Sequence, residues 1–303
     1  MDDEALRSTL RTMPGWEDLD PHVEPLPGGI TNRNHVVRGP DGRPYVVRIP
    51  GERTELLGID RAGEAEAARR AAELGIGPPV VGELPGVGTL VTALVPGRHL
   101  TADDLSTRLA DVVDLVRRFH DSGPLGAWFP IHRVVEWHAR DAASHGVAPP
   151  ASYGRLHAVS LRIEAAFAAS PEPPVPCHND LLPANLLVDA DRVWLLDFEY
   201  AGLNERMFDL GNLSVNCGLT ADDDDRLLRA YCGRAPDRRR WARLELMKIM
   251  SEMREGMWAV VQQAISTLDT DFVAYADERL GNCERLVAMP DFERWLDEAA
   301  GPG

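Results

Sequence analysis

The sequence predicts an α+β chain in two lobes, a small antiparallel sheet followed by a larger and mostly helical part. Three observations carry that expectation. Residues 1–96 hold short β-leaning runs separated by glycine and proline turns, whereas residues 97–303 place apolar side chains mainly at helical spacing. The chain has 303 residues, 44% hydrophobic and 26% charged, a composition that folds and a length that suits two cores.

The elements follow in order. Leu6, Leu10 and Met13 share a helical face until Pro14-Gly15 stops them, so a short helix leads. Residues 23–26, 35–38 and 45–49 favour strands, divided by Pro27-Gly28-Gly29 and by Gly39-Pro40-Asp41-Gly42. The Ala-, Glu- and Arg-rich residues 60–74 favour helix, ended by Gly75, and residues 79–84 and 89–94 return to strand. A hinge is expected near Leu94 to Gly97. Beyond it Leu105, Leu109, Val112, Val116 and Phe119 mark an amphipathic helix. One β-like segment interrupts the helical part: residues 186–188 and 193–196 flank Asp189-Ala190-Asp191 and read as a hairpin. Residues 222–225 read as the acidic start of a helix, and residues 238–240 as a solvated basic face.

Composition excludes several classes of function. With 48 acidic against 32 basic residues the formal charge is -16, which disfavours a nucleic-acid partner and suits a small cationic one. Charges interrupt every apolar run before 18 residues, so membrane insertion is not expected. The four cysteines are scattered without a CxxC pair, and the charged start has no signal-peptide pattern, so a reduced, cytoplasmic setting is expected. Lys248 is the one lysine, so a phosphate clamp here must be arginine. Nothing in the pattern specifies an oligomeric state.

The chemistry concentrates in Cys177-His178-Asn179-Asp180-Leu181-Leu182-Pro183-Ala184-Asn185, of the form H-x-D-x4-N, and in Asp197-Phe198-Glu199 further on. Phosphoryl transfer from a nucleotide needs a carboxylate beside the incoming hydroxyl and oxygen ligands for Mg²⁺. Asp180 supplies the first, Asn185 and Asp197 the second, and a hairpin between Asn185 and Asp197 would bring the two ligands together. The same chemistry needs a phosphate-covering loop, a cationic clamp on a strand and a helical glutamate to hold the clamp. Gly28 and Gly29, with Thr31 and Asn32 as donors, fit the loop. Arg48, set among apolar residues of a strand, fits the clamp, because a charge placed there is costly unless paired. Glu64 and Glu66 are its possible partners, and Glu64 is favoured.

With these motifs the chain resembles the choline and ethanolamine kinases, a branch of the aminoglycoside phosphotransferase-like group within the protein-kinase-like fold. The resemblance runs nearly end to end. It implies ATP and Mg²⁺ as cofactors, Asp180 as the catalytic carboxylate, and an alcohol acceptor. Residues 208–212 resemble the family segment whose aspartate, here Asp209, braces the catalytic loop. Residues 254–266 resemble the choline-kinase helix ending in W-x-x-x-Q-x-x-I-S, which implies choline in preference to aminoglycosides. Glu255, Trp258 and Gln262 share one face of that helix, and an indole beside a carboxylate suits an ammonium group. Tyr200 adds a second aromatic wall, and Glu199 stands near a second metal or the substrate. Eukaryotic choline kinases tend to carry a further tryptophan where this chain has Glu255, so ethanolamine and other amino alcohols stay open. An antibiotic-modifying phosphotransferase and a catalytically silent nucleotide-binding module are the alternatives.

Overall fold

The computed structural model describes residues 3–27, 31–51, 53–84, 88–190 and 192–301. Helix α1 (Asp3–Leu10) leads into a five-stranded antiparallel sheet of β1 (Val23–Leu26), β2 (Asn32–Arg38), β3 (Pro44–Pro50), β4 (Val80–Leu84) and β5 (Thr89–Ala93). The strands lie in the order β1-β2-β3-β5-β4. Leu6, Leu10, Met13 and Trp16 cover one face of the sheet and pack with Val37, Val47 and Val91. Strand β2 starts earlier than the apolar pattern suggests. Asn32, Arg33 and Asn34 are too polar to read as strand, yet they pair with Pro50, Ile49 and Arg48, so register with β3 overrides local preference.

Between β3 and β4 lie a 3₁₀ turn, Thr54–Leu57, which the sequence did not signal, and helix α2 (Arg61–Glu73). Asp60 caps α2 by accepting from the backbone N–H groups of Ala62 and Gly63 at 3.1 and 3.3 Å. Ala67, Ala71 and Ile76 of this segment belong to the large core of the helical part, so α2 and its flanks pack on that core while the sheet keeps a smaller core of its own.

The remainder comprises β6 (Arg98–His99), α3 (Ala102–His120), α4 (Ile131–Ser144), α5 (Tyr153–Ala169), β7 (Val175–Cys177), β8 (Leu186–Asp189), β9 (Arg192–Leu195) and β10 (Gly202–Asn204). It continues as α6 (Arg206–Cys217), α7 (Ala221–Cys232), α8 (Arg238–Ile265), α9 (Phe272–Val287) and α10 (Phe292–Ala300). Helix α3 buries the expected stripe and opens with a capping box between Thr101 and Asp104. The expected hairpin forms from β8 and β9, with β6 added on its outer edge, and β7 pairs separately with β10. Helix α8 is the spine, packed by α4, α6, α9 and α10. No helix among the described residues is long and apolar enough to cross a membrane.

Of the two charge runs, the acidic one opens a helix as expected and the basic one does not form a solvated face. Residues 222–225 do open α7, with Asp223 in a capping box, but Asp224 is buried between Lys248 at 2.8 Å and the Ser214 hydroxyl at 2.6 Å. In the basic run Arg239 and Arg240 turn inward to Glu172 at 2.7 and 2.9 Å. One carboxylate shared by several guanidinium groups holds them, which a charge run read along the chain does not reveal.

Candidate active site

The loop after β7 is fixed mainly from beneath by α6. Asp209 accepts the backbone N–H of His178 on one oxygen at 2.8 Å and that of Asn179 on the other at 2.7 Å. His120 from the end of α3 bonds the first oxygen at 3.0 Å and the Tyr231 hydroxyl at 2.7 Å. The fold thus brings His120 beside Cys177 and Asp209, a neighbourhood that sequence spacing did not show. Both ring nitrogens and both carboxylate oxygens are already committed, so the cluster is a buried lock on the loop. Asn212 adds an acceptor for the Leu181 N–H at 2.5 Å. His178 reaches across to the Leu196 carbonyl at 2.8 Å, and its ring packs tilted at 55° with its centroid 4.9 Å from that of Phe198, tying the loop to the hairpin exit.

This frame aims Asp180 and Asn185 into one cavity of about 620 Å³ that Asp197 and Arg48 also line. Leu186 pairs with Leu195, and the Leu196 N–H donates to the Asn185 carbonyl at 2.9 Å, so the hairpin register carries Asn185 and Asp197 to the same end. Asn179 and Asp197 hold left-handed backbones, φ 65° and 64°. Such angles cost non-glycine residues energy and are kept where the surroundings enforce them. The Asn185 amide donates to the Asp180 carbonyl at 2.8 Å and to Asp180 Oδ2 at 3.1 Å, which leaves its own carbonyl oxygen to accept. With the Asp197 carboxylate this is an all-oxygen donor pair, the chemistry a hard divalent cation requires.

Arg48 lies on interior strand β3. Its Nη1 meets Glu64 at 3.0 Å and its Nη2 meets Glu199 at 3.1 Å as well as Asp197. Burial works against its charge, but Asp197, Glu64 and Glu199 outweigh that and hold the guanidinium charged. Glu64 is therefore the partner, while Glu66 accepts the Gly126 N–H at 3.0 Å. Arg61, which sequence reasoning missed although it stands three residues before Glu64, pairs with Glu64 at 2.6 Å and donates to Asn32 at 3.2 Å. Gly28 and Gly29 lie outside the described residues. Thr31 and Asn32 donate to Glu199 at 2.7 and 2.8 Å, so Glu199 faces the start of β2 and Arg48. Burial and the neighbouring Asp197 raise the pKa of Glu199.

On the opposite side Trp258 donates its indole N–H to the Tyr200 hydroxyl at 2.9 Å. Phe272 and Tyr275 of α9 stand 5.9 and 6.2 Å from the Trp258 ring and complete an aromatic wall. The sequence reading missed both, though they are spaced as one face of a helix. Glu255 lines the cavity beside Trp258, but one oxygen pairs with Arg254 and the other accepts from the Tyr275 hydroxyl at 3.1 Å, so its charge is already paired. Gln262 is buried further along α8 and does not line the cavity, and Met250, Met253 and Met257 belong to the core. Arg254, also unforeseen, reaches Asp180 Oδ1 at 3.1 Å. Burial raises the pKa of Asp180, and Arg254 opposes that rise.

A sheet set over a helical base, with the H-x-D-x4-N loop and Arg48 lining one cavity, defines a phosphotransferase of the protein-kinase-like fold acting on an alcohol. The phosphotransferase enzyme family matches residues 22–244. The chain belongs to that family, within its choline/ethanolamine kinase group. A choline/ethanolamine kinase family protein from Mesorhizobium loti is 31% identical with a TM-score of 0.82, covering 99% of both chains. Ethanolamine kinase 2 of Mus musculus is 27% identical over 303 residues, 90% of this chain and 78% of its own length. The GDP and kanamycin complex of APH(2")-IIia shares the fold, at 17% identity and a TM-score of 0.64, over 93% of this chain and 99% of its own.

Proposed function

We propose that this protein uses ATP and Mg²⁺ to phosphorylate the hydroxyl of a small cationic amino alcohol, choline first among the candidates. The observation that carries the reading is one cavity bordered by Asp180, Asn185, Asp197 and Arg48 on one side and by Tyr200, Trp258, Phe272 and Tyr275 on the other. Four carboxylates, Asp180, Asp197, Glu199 and Glu255, line it against two guanidinium groups, Arg48 and Arg254, so its charge favours a cation. The aromatic wall offers π faces to an ammonium, and Asp180 lines the same cavity.

In this reading Asp180 takes the hydroxyl proton as the acceptor oxygen bonds the terminal phosphorus and the bond to the departing nucleoside diphosphate breaks. Asn185 and Asp197 would hold Mg²⁺, which when bound neutralises developing phosphate charge. Arg48, braced by Glu64, supplies fixed positive charge to the phosphates, with Thr31 and Asn32 tied beside it through Glu199. ADP formation measured with choline, ethanolamine, its methylated forms and kanamycin tests the substrate class, and turnover with kanamycin alone would reassign it. Asp180→Asn should lower kcat by about 10²–10⁴-fold while Mg-ATP binding stays near that of the unmodified protein. Near-normal turnover in that variant would remove Asp180 from the role.

A further inference from the structure

The loop that carries Asp180 brings no cation of its own, since residues 181–184 are Leu-Leu-Pro-Ala. Among the described residues Arg48 and Arg254 are the two arginines lining the cavity, and Arg48 is spent on the nucleotide side. Arg254 arrives from α8 with its side chain 2% exposed. Its Nη1 bridges Asp180 Oδ1 and Glu255, and its guanidinium carbon lies 4.2 Å from the Tyr200 ring centroid. Glu255 is in turn fixed by the Tyr275 hydroxyl. Asp180 Oδ2 is held from the other edge by Asn185.

Buried unpaired donors are costly, and the other buried arginines with an unpaired atom, Arg239 among them, leave only Nε without a partner among the described residues. In Arg254 both Nε and Nη2 are buried with no hydrogen-bond partner among the described residues. The ion is retained although one nitrogen makes all its polar contacts, and those contacts end on the carboxylate assigned to take the acceptor proton.

We propose that Arg254 is a positioning residue for Asp180, the last member of a chain Tyr275–Glu255–Arg254 that fixes the plane of the carboxylate and balances its charge. The inference rests on the kinase reading above. It also ties the base to the acceptor wall, because the Tyr275 phenol that ends the chain stands beside Trp258. A bound alcohol that orders Tyr275 therefore orders Asp180.

The test is steady-state kinetics of the full chain with Mg-ATP and the best alcohol of the panel, comparing unmodified protein, Asp180→Asn, Arg254→Lys and Arg254→Ala, the last with and without added ethylguanidinium. Misplacing a reacting group by about 1 Å costs on the order of 100-fold, so Arg254→Ala should lose about 100-fold in kcat while KM for ATP moves less than about threefold. Ethylguanidinium should restore part of the loss, and Arg254→Lys should keep more activity than Arg254→Ala. If Arg254→Ala does not fold, Arg254→Lys decides: an unchanged kcat overturns the proposal, and a lowered kcat with unchanged KM for ATP supports it. Arg254→Ala turning over within about threefold of the unmodified protein, or losing kcat and ATP binding together without rescue, also overturns it. Activity in the unmodified protein that Asp180→Asn removes upholds the kinase reading whichever way Arg254 falls. No ADP from any alcohol overturns both.

Discussion

Arg48 and Trp258 mark the two ends of what single side chains reveal. Arg48 could be assigned because a cation set in an apolar strand demands a partner, and the partner had to come from the next helix. Trp258 could be placed only by likeness to known helices, since an indole among Met250, Met253 and Met257 has the look of core. In the structure the methionines are core and the indole reaches Tyr200, a distinction set by which side of α8 meets the hairpin exit. Glu255 shows the opposite outcome. Its neighbour Arg254 neutralises it, and no local pattern aims that arginine at a loop 74 residues away. Cation–π attraction in a desolvated site amounts to about 1–2 kcal/mol, so Trp258→Ala should raise KM for choline by about 5- to 30-fold and leave KM for ATP near its original value. Equal changes in both constants would place Trp258 in the structural frame instead.

Elements with one apolar face were the legible ones. Helix α3 was readable because its stripe repeats every three or four residues and the opposite face is charged. Helix α8 is buried almost all round from residue 242 to 262, so no stripe exists to read, and its place as the spine emerges only from the helices packed on it. Strands β6 and β10 are too short to signal themselves and exist because partners β8 and β7 are there to pair. Where α6 crosses α8 a Cβ on Gly211 would come within 2.8 Å of the Lys248 nitrogen and the Met247 carbonyl carbon, both backbone atoms that cannot give way independently. Gly211→Ala should therefore destabilise the protein by about 1–3 kcal/mol, read as a lowered urea midpoint. Because Asp209 and Asn212 sit beside this crossing, activity should fall in the same variant before unfolding does. A midpoint equal to that of the unmodified protein would mean that the two helices separate freely.

Across the two cores the consequence of burial is most visible in pH. His138 lies where α4 meets the turn at Leu57, and burial, with Arg254 nearby, pushes its pKa down to about 3. Its ordinary value is about 6.5, so between about 3 and 6.5 the unfolded chain binds the proton and the folded one does not. The stability this neutral imidazole gives is complete above about pH 6.5 and is lost as pH falls toward 3. His132, pushed down to about 4 mainly by burial, acts in the same direction. Asp180 and Glu199, with raised values, act oppositely, but they are common to a variant and its parent and cancel in the comparison. His138→Gln should flatten the fall in urea stability between pH 6.5 and 5 by about 1–2 kcal/mol relative to the parent. Parallel curves would show that His138 is protonated without cost in the fold.

The amino-acid order determined most of the elements, the H-x-D-x4-N loop, the hairpin that brings Asn185 and Asp197 to one end, and Arg48 as a strand cation in need of Glu64. Each is written in a short stretch, where periodicity, turn residues and the cost of an unpaired charge operate between near neighbours. What only the tertiary structure decided is how stretches far apart in the chain meet: Asp209 with His120 beneath the loop, Phe272 and Tyr275 opposite Trp258, and Arg254 on Asp180. Those contacts arise from helix packing, where the angle at which α6, α8 and α9 cross selects which side chains share the cavity, and that angle belongs to no single segment.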